Sequence, residues 1–378
     1  MIIAVNTRLL LKDKLEGIGW FTYETLKRIT KQHPEIRFIF IFDRAFSEEF
    51  IFSDNVTPIA VGPQARHPYL WRYWFERTVP KILKEHKADL FLSPDGYLSL
   101  STDVPSVNVI HDLNFEHHPK DIPFLSRNYY KKYFPRFAQN AKRIATVSEF
   151  SKKDIINTYG ISGDKIDVVY NGANEQYAPC GDEIKKTTKN NYSQGCDYFL
   201  YVGALHPRKN VARLLLAFDE FKKSTSSPIK LLIVGEMMWK NKMLQDTFAQ
   251  MKFKNEVIFT GRLNSEQLKD VLGAALALTY IPYFEGFGIP IVEAMYSGVP
   301  IITSNITSMP EIAGDAALLV DPHSTGSVKE AMLQIVKDEK LRKELILKGQ
   351  IRKKEFTWNK TSELLWKCMI TAVRFPDK

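Results

Sequence analysis

Two carboxylates, Glu285 and Glu293, stand with seven residues between them in the stretch LTYIPYFEGFGIPIVEAMYSGVPIITSN, residues 278–305. Paired acids of this kind can serve hydrolysis as proton donor and nucleophile. Two glutamates eight positions apart are equally compatible with an ordinary βαβ unit carrying two surface acids. Their setting adds information. Glu285 lies in a glycine-flanked loop after an apolar run, Ala274 to Tyr283, that reads as a strand. Glu293 falls in a short helix with Pro290 in its first turn, where an N–H is expendable, and Gly298 at its end. Val299 to Thr303 reads as the next strand. An acid at the carboxyl end of a strand in a strand–loop–helix–strand unit is placed where open α/β sheets bind ligands.

Cations that could face such acids follow another strand. Tyr198 to Val202 ends at Gly203 and runs into Ala-Leu-His-Pro-Arg208-Lys209-Asn210, and Asn210 is expected to cap the helix Val211–Phe221. Positive side chains beside the unpaired amides of a helix start suit a phosphate. A plain basic loop with a helix cap fits the same residues. Nearer the amino terminus, Gly17-Ile-Gly19 can bring backbone amides to a phosphate or sugar, or simply make a tight turn. His111 and Asp112 follow the strand Pro105–Ile110, again at a carboxyl end. His117 and His118 match no metal-ligand spacing, and no Asp-x-Asp triplet occurs to clamp a diphosphate through a divalent ion. No G-x-G-x-x-G follows a first strand and no Walker sequence is present, which argues against NAD and nucleotide hydrolysis.

The positioning elements are repeated βα units. Strands are expected at Ile2–Asn6, Arg37–Asp43, Asp89–Ser93, Pro105–Ile110, Arg143–Ser148 and Ile166–Val169. Helices are expected at Gly19–Lys31, Trp71–His86 and Phe124–Ala141. A polar stretch, Glu175 to Asp197, breaks the composition and reads as a linker. A second series follows, with strands Tyr198–Val202, Lys230–Val234, Val257–Thr260, Ala274–Tyr283, Val299–Thr303 and Ala317–Val320, and then one helical segment, Val328–Val373. Strands alternating with helices imply doubly wound parallel sheets. The expected fold is therefore α/β, with two Rossmann-like domains facing a central cleft. Residues 1–175 and 176–355 make the two domains, and a terminal helix over 356–378 packs back on the first.

At 378 residues the length suits two domains, and 44% hydrophobic with 25% charged residues is an ordinary globular composition. Three cysteines, Cys180, Cys196 and Cys368, form no metal or redox spacing. Reduced thiols and a cytoplasmic setting are expected. The start, MIIAVNTRLL, reads as a strand rather than a signal, and no apolar run of about 18 residues occurs. The net charge is +9, and the span from Pro123 to Arg143 holds six basic residues and no acid among Tyr129, Tyr130, Tyr133, Phe134 and Phe137. That mixture suits the inner face of an anionic membrane, or a solvated helix face beside a buried aromatic one. No nucleic-acid motif is present.

These segments, taken together, resemble the retaining glycosyltransferase family 4, with the GT-B architecture. The resemblance runs in order through GIGWFTYETL, VIHDLNF, ATVSEFS, VVYNGAN, YVGALHPRKN, LLIVGE, VIFTGRL, the two-glutamate block and MPEIAGDAALLVDP. It implies a metal-independent enzyme that needs no cofactor. The partners implied are a nucleotide diphosphate sugar and a glycan or lipid-linked acceptor. Glu285 matches the acid that contacts the donor sugar, and Glu293 the acid that holds the ribose hydroxyls. Arg208 and Lys209 match the cations on the diphosphate. Gly286, Phe287 and Gly288 match the loop whose amides meet sugar and phosphate. Arg262 and Leu263 match the loop near the base, and Gly203, Gly235 and Ile289 belong with the donor-binding set. Gly19 matches the glycine loop of the acceptor domain, and His111 the histidine that reaches the transferred sugar. Many relatives read Gly-Arg-Leu where this chain has Gly203-Ala204-Leu205, so one familiar cation is missing. The Pro-Arg-Lys-Asn variant resembles a subgroup rich in mannosyltransferases, which points to GDP-mannose and to polysaccharide or lipopolysaccharide synthesis. A sugar-nucleotide epimerase of the same fold and a non-catalytic nucleotide-sugar-binding protein are the alternative readings.

Overall fold

A computed structural model describes residues 1–236 and 242–374. The chain forms two compact units, one made of Met1–Gly172 with the terminal helix Trp358–Arg374, the other of Ala173–Thr357. Positions 375–378 of the expected terminal helix lie outside the described residues.

The first unit is built on seven parallel strands: β1 Ile2–Asn6, β2 Arg37–Phe42, β3 Val56–Ala60, β4 Leu90–Ser93, β5 Ser106–Ile110, β6 Arg143–Thr146 and β7 Ile166–Val168. Their spatial order is β3-β2-β1-β4-β5-β6-β7. Successive residues face opposite sides of the sheet. Ala4, Ile39 and Phe91 enter one core with Trp74 and Phe75, while Ile3, Val5, Phe38 and Phe40 enter the other. Strands buried on both faces read as unbroken apolar runs, as RFIFIF does in β2. The terminal helix closes the second face through Leu365, Met369 and Ala372. It lies along the first helix, Gly17–Gln32, where Arg28 Nε donates to Asn359 Oδ1 at 2.8 Å.

The second unit has six parallel strands: β8 Tyr198–Val202, β9 Lys230–Val234, β10 Val257–Gly261, β11 Ala277–Tyr280, β12 Ile301–Ser304 and β13 Leu318–Val320. Their order is β10-β9-β8-β11-β12-β13. In each sheet the order reverses once, between β1 and β4 and between β8 and β11. Crevices open at such reversals beyond the carboxyl ends of the strands.

Several expected elements differ from those observed. The strand β3 is not anticipated, because Pro58 interrupts its pattern; the structure places it at the sheet edge, where a missing donor is tolerated. The polar stretch is no linker. Asp182–Ser193 is a helix that buries Thr188 and Ser193 and ends on left-handed Gln194 at φ 58°. The long strand expected from Ala274 shrinks to four residues: Ala274 closes the preceding helix Ser265–Gly273, and Pro282 has no N–H for a ladder. The span Trp71–His86 divides into helices Pro68–Tyr73 and Val79–Glu85 around a wider turn, Trp74–Thr78, with Pro80 just beyond. The final helical segment is three helices, Thr325–Lys337, Glu339–Arg352 and Trp358–Arg374.

Asn210 does not cap its helix. It sits in the left-handed region at φ 61°, and its Nδ2 donates to Ile281 O at 3.1 Å and Pro322 O at 2.7 Å. One buried amide thus ties the loop after β8 to those after β11 and β13. Asn210→Ala takes the amide donor from Ile281 O, leaves Pro322 O with Arg213 Nη1 at 2.9 Å, and puts an alkyl side chain at positive φ. The expected loss is about 3 kcal/mol in the unfolding transition of the second unit, read by urea titration.

Candidate active site

Both loops flanking the β8/β11 reversal carry charge. After β8, the tight turn Pro207–Lys209 presents Arg208 and Lys209. Beyond β11, Glu285 lies in the loop before the helix Ile289–Ser297. The two loops are tied by the backbone, since Tyr283 N donates to Arg208 O at 3.0 Å. Arg208 Nη1 reaches Glu285 Oε2 at 2.8 Å, and Lys209 Nζ donates to the same oxygen. A third donor was not foreseen. The phenol of Tyr280, on β11, gives its proton to Glu285 Oε2 at 2.8 Å and accepts from Lys209 Nζ. Arg208 is further fixed by donating to Phe284 O at 3.2 Å.

Electrostatics follow from this geometry. Burial alone would raise the Glu285 pKa. The charges of Arg208 and Lys209, with hydrogen bonds from Lys209 and Tyr280, outweigh it and bring the pKa down to about 2. Burial holds the Tyr280 phenol well above its usual range, so it stays a donor. Two cations thus face one carboxylate.

The glycines make room for this loop. Gly288, at φ 94°, starts the helix, and a Cβ there would fall 2.8 Å from Met309 Cε. Ser308 Oγ donates to Glu285 O at 2.8 Å and holds the loop from below. Gly203 and Gly235 end β8 and β9 so closely that a Cβ on Gly235 would stand 2.0 Å from Gly203 O. Gly286 belongs to the same loop as Glu285, Phe287 turns its ring inward against Phe356 at 5.7 Å, and Ile289 opens the helix. Arg262 and Leu263 follow β10, two strands away from β8, with Arg262 exposed.

Glu293 lies on the helix Ile289–Ser297 and is not part of the Glu285 cluster. Its partner is the phenol of Tyr177, and burial raises its pKa to about 7 against that hydrogen bond. Tyr177 lies in an irregular segment with no pattern to mark it.

His111 and Gly19 belong to the first unit. Gly19 is the third residue of the helix Gly17–Gln32, and its missing side chain admits Leu9 O and Leu15. His111 Nε2 lies 2.8 Å from Pro94 O. A carbonyl only accepts, so Nε2 carries the proton and Nδ1 is left as an acceptor. Burial lowers the His111 pKa, despite the Pro94 bond and nearby Asp112 and Asp95, and keeps the ring neutral. His117 pairs with Asp154 at 2.7 Å. Among the described residues no cluster of three or more His, Cys, Asp or Glu side chains could hold a metal ion, and no helix is long and apolar enough to cross a membrane.

The raised Glu293 pKa has a measurable sign. Folded protein keeps a proton that the unfolded chain releases near 4.5, so this group's contribution to stability falls as pH rises from 4.5 to about 7, then levels off. Glu293→Gln removes the titration. The urea midpoint of the variant is expected to gain on the wild type progressively across that window; a constant difference would show Glu293 ionised throughout.

Comparison with known proteins agrees with the resemblance in the sequence. The family pattern described as Glycosyltransferase Family 4 matches residues 15–177, and that described as Glycosyl transferases group 1 matches residues 182–352. The O-antigen chain mannosyltransferase B of Escherichia coli is 29% identical over 366 residues, covering 92% of this chain and 94% of that protein. The O-antigen chain mannosyltransferase RfbU of Salmonella typhimurium is 32% identical over 267 residues, covering 71% and 70%. Among solved structures, Anabaena HepE in complex with UDP-glucose superposes with a TM-score of 0.77 at 16% identity, over 98% of this chain and all of that one, which speaks for the fold. The chain belongs to glycosyltransferase family 4, has the GT-B class of fold, and is a glycosyltransferase.

Proposed function

We propose that this enzyme transfers mannose from GDP-mannose, with retention of anomeric configuration, to a glycan or lipid-linked acceptor in O-antigen or lipopolysaccharide assembly. The names of the two bacterial relatives support the sugar and the process. The observation that carries the chemistry is the meeting of Arg208, Lys209 and Tyr280 on one oxygen of Glu285. Breaking the anomeric bond develops negative charge on the diphosphate. Arg208 and Lys209 exchange part of their hold on Glu285 for the departing oxygens, and the helix start at Gly288–Ile289 adds its amides. This charge is supplied by side chains, without a divalent ion. None of the three contacts uses Glu285 Oε1, which is assigned to a hydroxyl of the donor sugar. Glu293 is assigned to the ribose, and Arg262 and Leu263 to the base. The acceptor is assigned to the first unit, and His111, through Nδ1, to a hydroxyl of the transferred sugar. The acceptor hydroxyl attacks on the face that the diphosphate leaves, and a leaving phosphate oxygen takes its proton.

Incubation with labelled GDP-mannose, with and without glycan and lipid-linked acceptors, tests the reading. Transferred mannose in the retained configuration, at a rate unaffected by EDTA, is the expected result. Epimerised donor would instead indicate an epimerase, and binding without turnover a non-catalytic protein. Glu285→Ala should lower kcat at least about 100-fold with circular dichroism unchanged. Near-normal transfer by that variant overturns the role of Glu285.

Peripheral contact with the inner face of a membrane is part of this proposal. Tyr69, Leu70 and Tyr73 on one helix and Phe124 and Leu125 on another are exposed. These helices pack together through Trp71, whose ring lies 5.3 Å from Tyr129 and 5.7 Å from Tyr130. Arg66, Arg72, Lys131, Lys132 and Arg136 are exposed on the same segments. Such a surface suits anionic lipid. Cosedimentation with phosphatidylglycerol vesicles at low salt is expected, with release as salt screens the cations. Failure to bind at low salt counts against the contact.

A further inference from the structure

Of the three donors on Glu285 Oε2, two are long cations on a turn and the third belongs to the core. The side chains of Arg208 and Lys209 are 22% and 12% exposed, whereas Tyr280 is 1% exposed. Tyr280 ends β11 and is held from several directions. Its carbonyl accepts from Thr303 Oγ1 of β12 at 2.7 Å. Its ring stacks on that of Tyr201, on β8, with centroids 6.2 Å apart and planes 22° from parallel. Tyr201 is itself fixed, because its hydroxyl donates to Ala204 O at 3.0 Å. The turn after β8 passes close over both rings: a Cβ on Gly203 would stand 3.2 Å from the Tyr201 hydroxyl oxygen and 4.0 Å from Tyr280 Cε2. From this seat the Tyr280 phenol gives its proton to Glu285 Oε2 at 2.8 Å and accepts from Lys209 Nζ, which lies 5.0 Å from the ring centre.

The three donors differ in what a diphosphate can draw from them. Arg208 and Lys209 carry charge for which an anionic leaving group competes. A neutral phenol does not, and burial, then the charge of Glu285, holds its proton in place. Other polar groups nearby are directed elsewhere. Tyr201 donates to Ala204 O, His206 Nδ1 accepts from Arg208 N at 3.3 Å, and Ser308 Oγ serves the carbonyl of Glu285 rather than its carboxylate. As charge builds on the departing diphosphate, the two cations loosen from Glu285, and a buried carboxylate that loses its partners is costly. The phenol is the donor that stays. We propose that Tyr280 is a positioning residue of the transfer reaction, keeping the Glu285 carboxylate oriented and Lys209 Nζ anchored while the cations move onto the leaving group. This rests on the transferase reading above and adds a residue whose contribution is largest in the transition state.

Release of GDP from GDP-mannose by the full chain, with methyl α-mannopyranoside or water as acceptor, gives the kcat and donor KM that test it. Tyr280→Phe keeps the ring stack and removes the hydroxyl. Its kcat should fall about 10- to 30-fold while KM for GDP-mannose stays within about threefold of the wild type. Tyr280→Met gives a second form without the donor if Tyr280→Phe does not fold. Tyr201→Phe removes a buried hydroxyl from the neighbouring ring and reports what loosening of the core alone does; its kcat should stay within about threefold of the wild type. Replacing Tyr280 by 4-aminophenylalanine returns a donor to the same ring and should recover at least about a third of the wild-type kcat. An unchanged kcat without the Tyr280 hydroxyl, a loss expressed in KM alone, an equal fall in Tyr201→Phe, or no recovery with the amino form each overturns the inference. The transferase reading fails separately. If the wild type neither releases GDP nor transfers mannose, both fall; if it turns over and the variants match it, only the role of Tyr280 falls.

Discussion

An ionised carboxylate shut away from water must be answered by opposite charge, and in the second unit that demand fixes everything around it. Glu285 meets it with two cations and a phenol on a single oxygen. The arrangement needs the turn after β8 and the loop after β11 to lie side by side, hence the reversal of strand order there. It needs Gly288 at positive φ to start a helix immediately beyond, and a serine hydroxyl under the Glu285 carbonyl. Removing water from the cluster strengthens each of these interactions and makes any unmatched charge expensive. The ionic balance around Glu285 therefore also joins the loop after β8 to the loop after β11.

Nature has placed a second ion pair at the equivalent reversal of the other sheet, between Arg8 and Asp95. The two pairs differ in bookkeeping. Glu285 is outnumbered by its cations, while Arg8 and Asp95 match one for one. Parallel sheets of the same design thus carry different arrangements of charge through the identity of a few residues at strand ends.

Much of this was legible in the residues. The parallel sheets announce themselves as apolar runs such as RFIFIF, and Glu285, Arg208 and Lys209 stand at strand ends that local patterns locate. What escaped was of two kinds. Tyr280, Tyr177 and Asp95 act through partners brought near by folding, and Arg8 meets Asp95 across 87 positions of chain, a pairing without a local signal. Asn210 escaped for another reason. Its type and place fit a helix cap, yet its left-handed backbone turns the amide toward two loop carbonyls instead. The helix Asp182–Ser193 was hidden by composition, because it buries little and its polarity resembles that of a linker. In each case tertiary context overrode a sound local rule.

The path of the chain through the two units has a consequence for biosynthesis. The second unit is made from one uninterrupted segment, Ala173–Thr357, and all its strands are available once that segment has been synthesised. The first unit emerges earlier but lacks one wall of its core, because Leu365, Met369 and Ala372 come from the last helix. A chain leaving the ribosome thus carries an unfinished amino-terminal sheet, with an apolar face open to water, until the helix that follows the second unit has been made. The order of completion is the reverse of the order of synthesis.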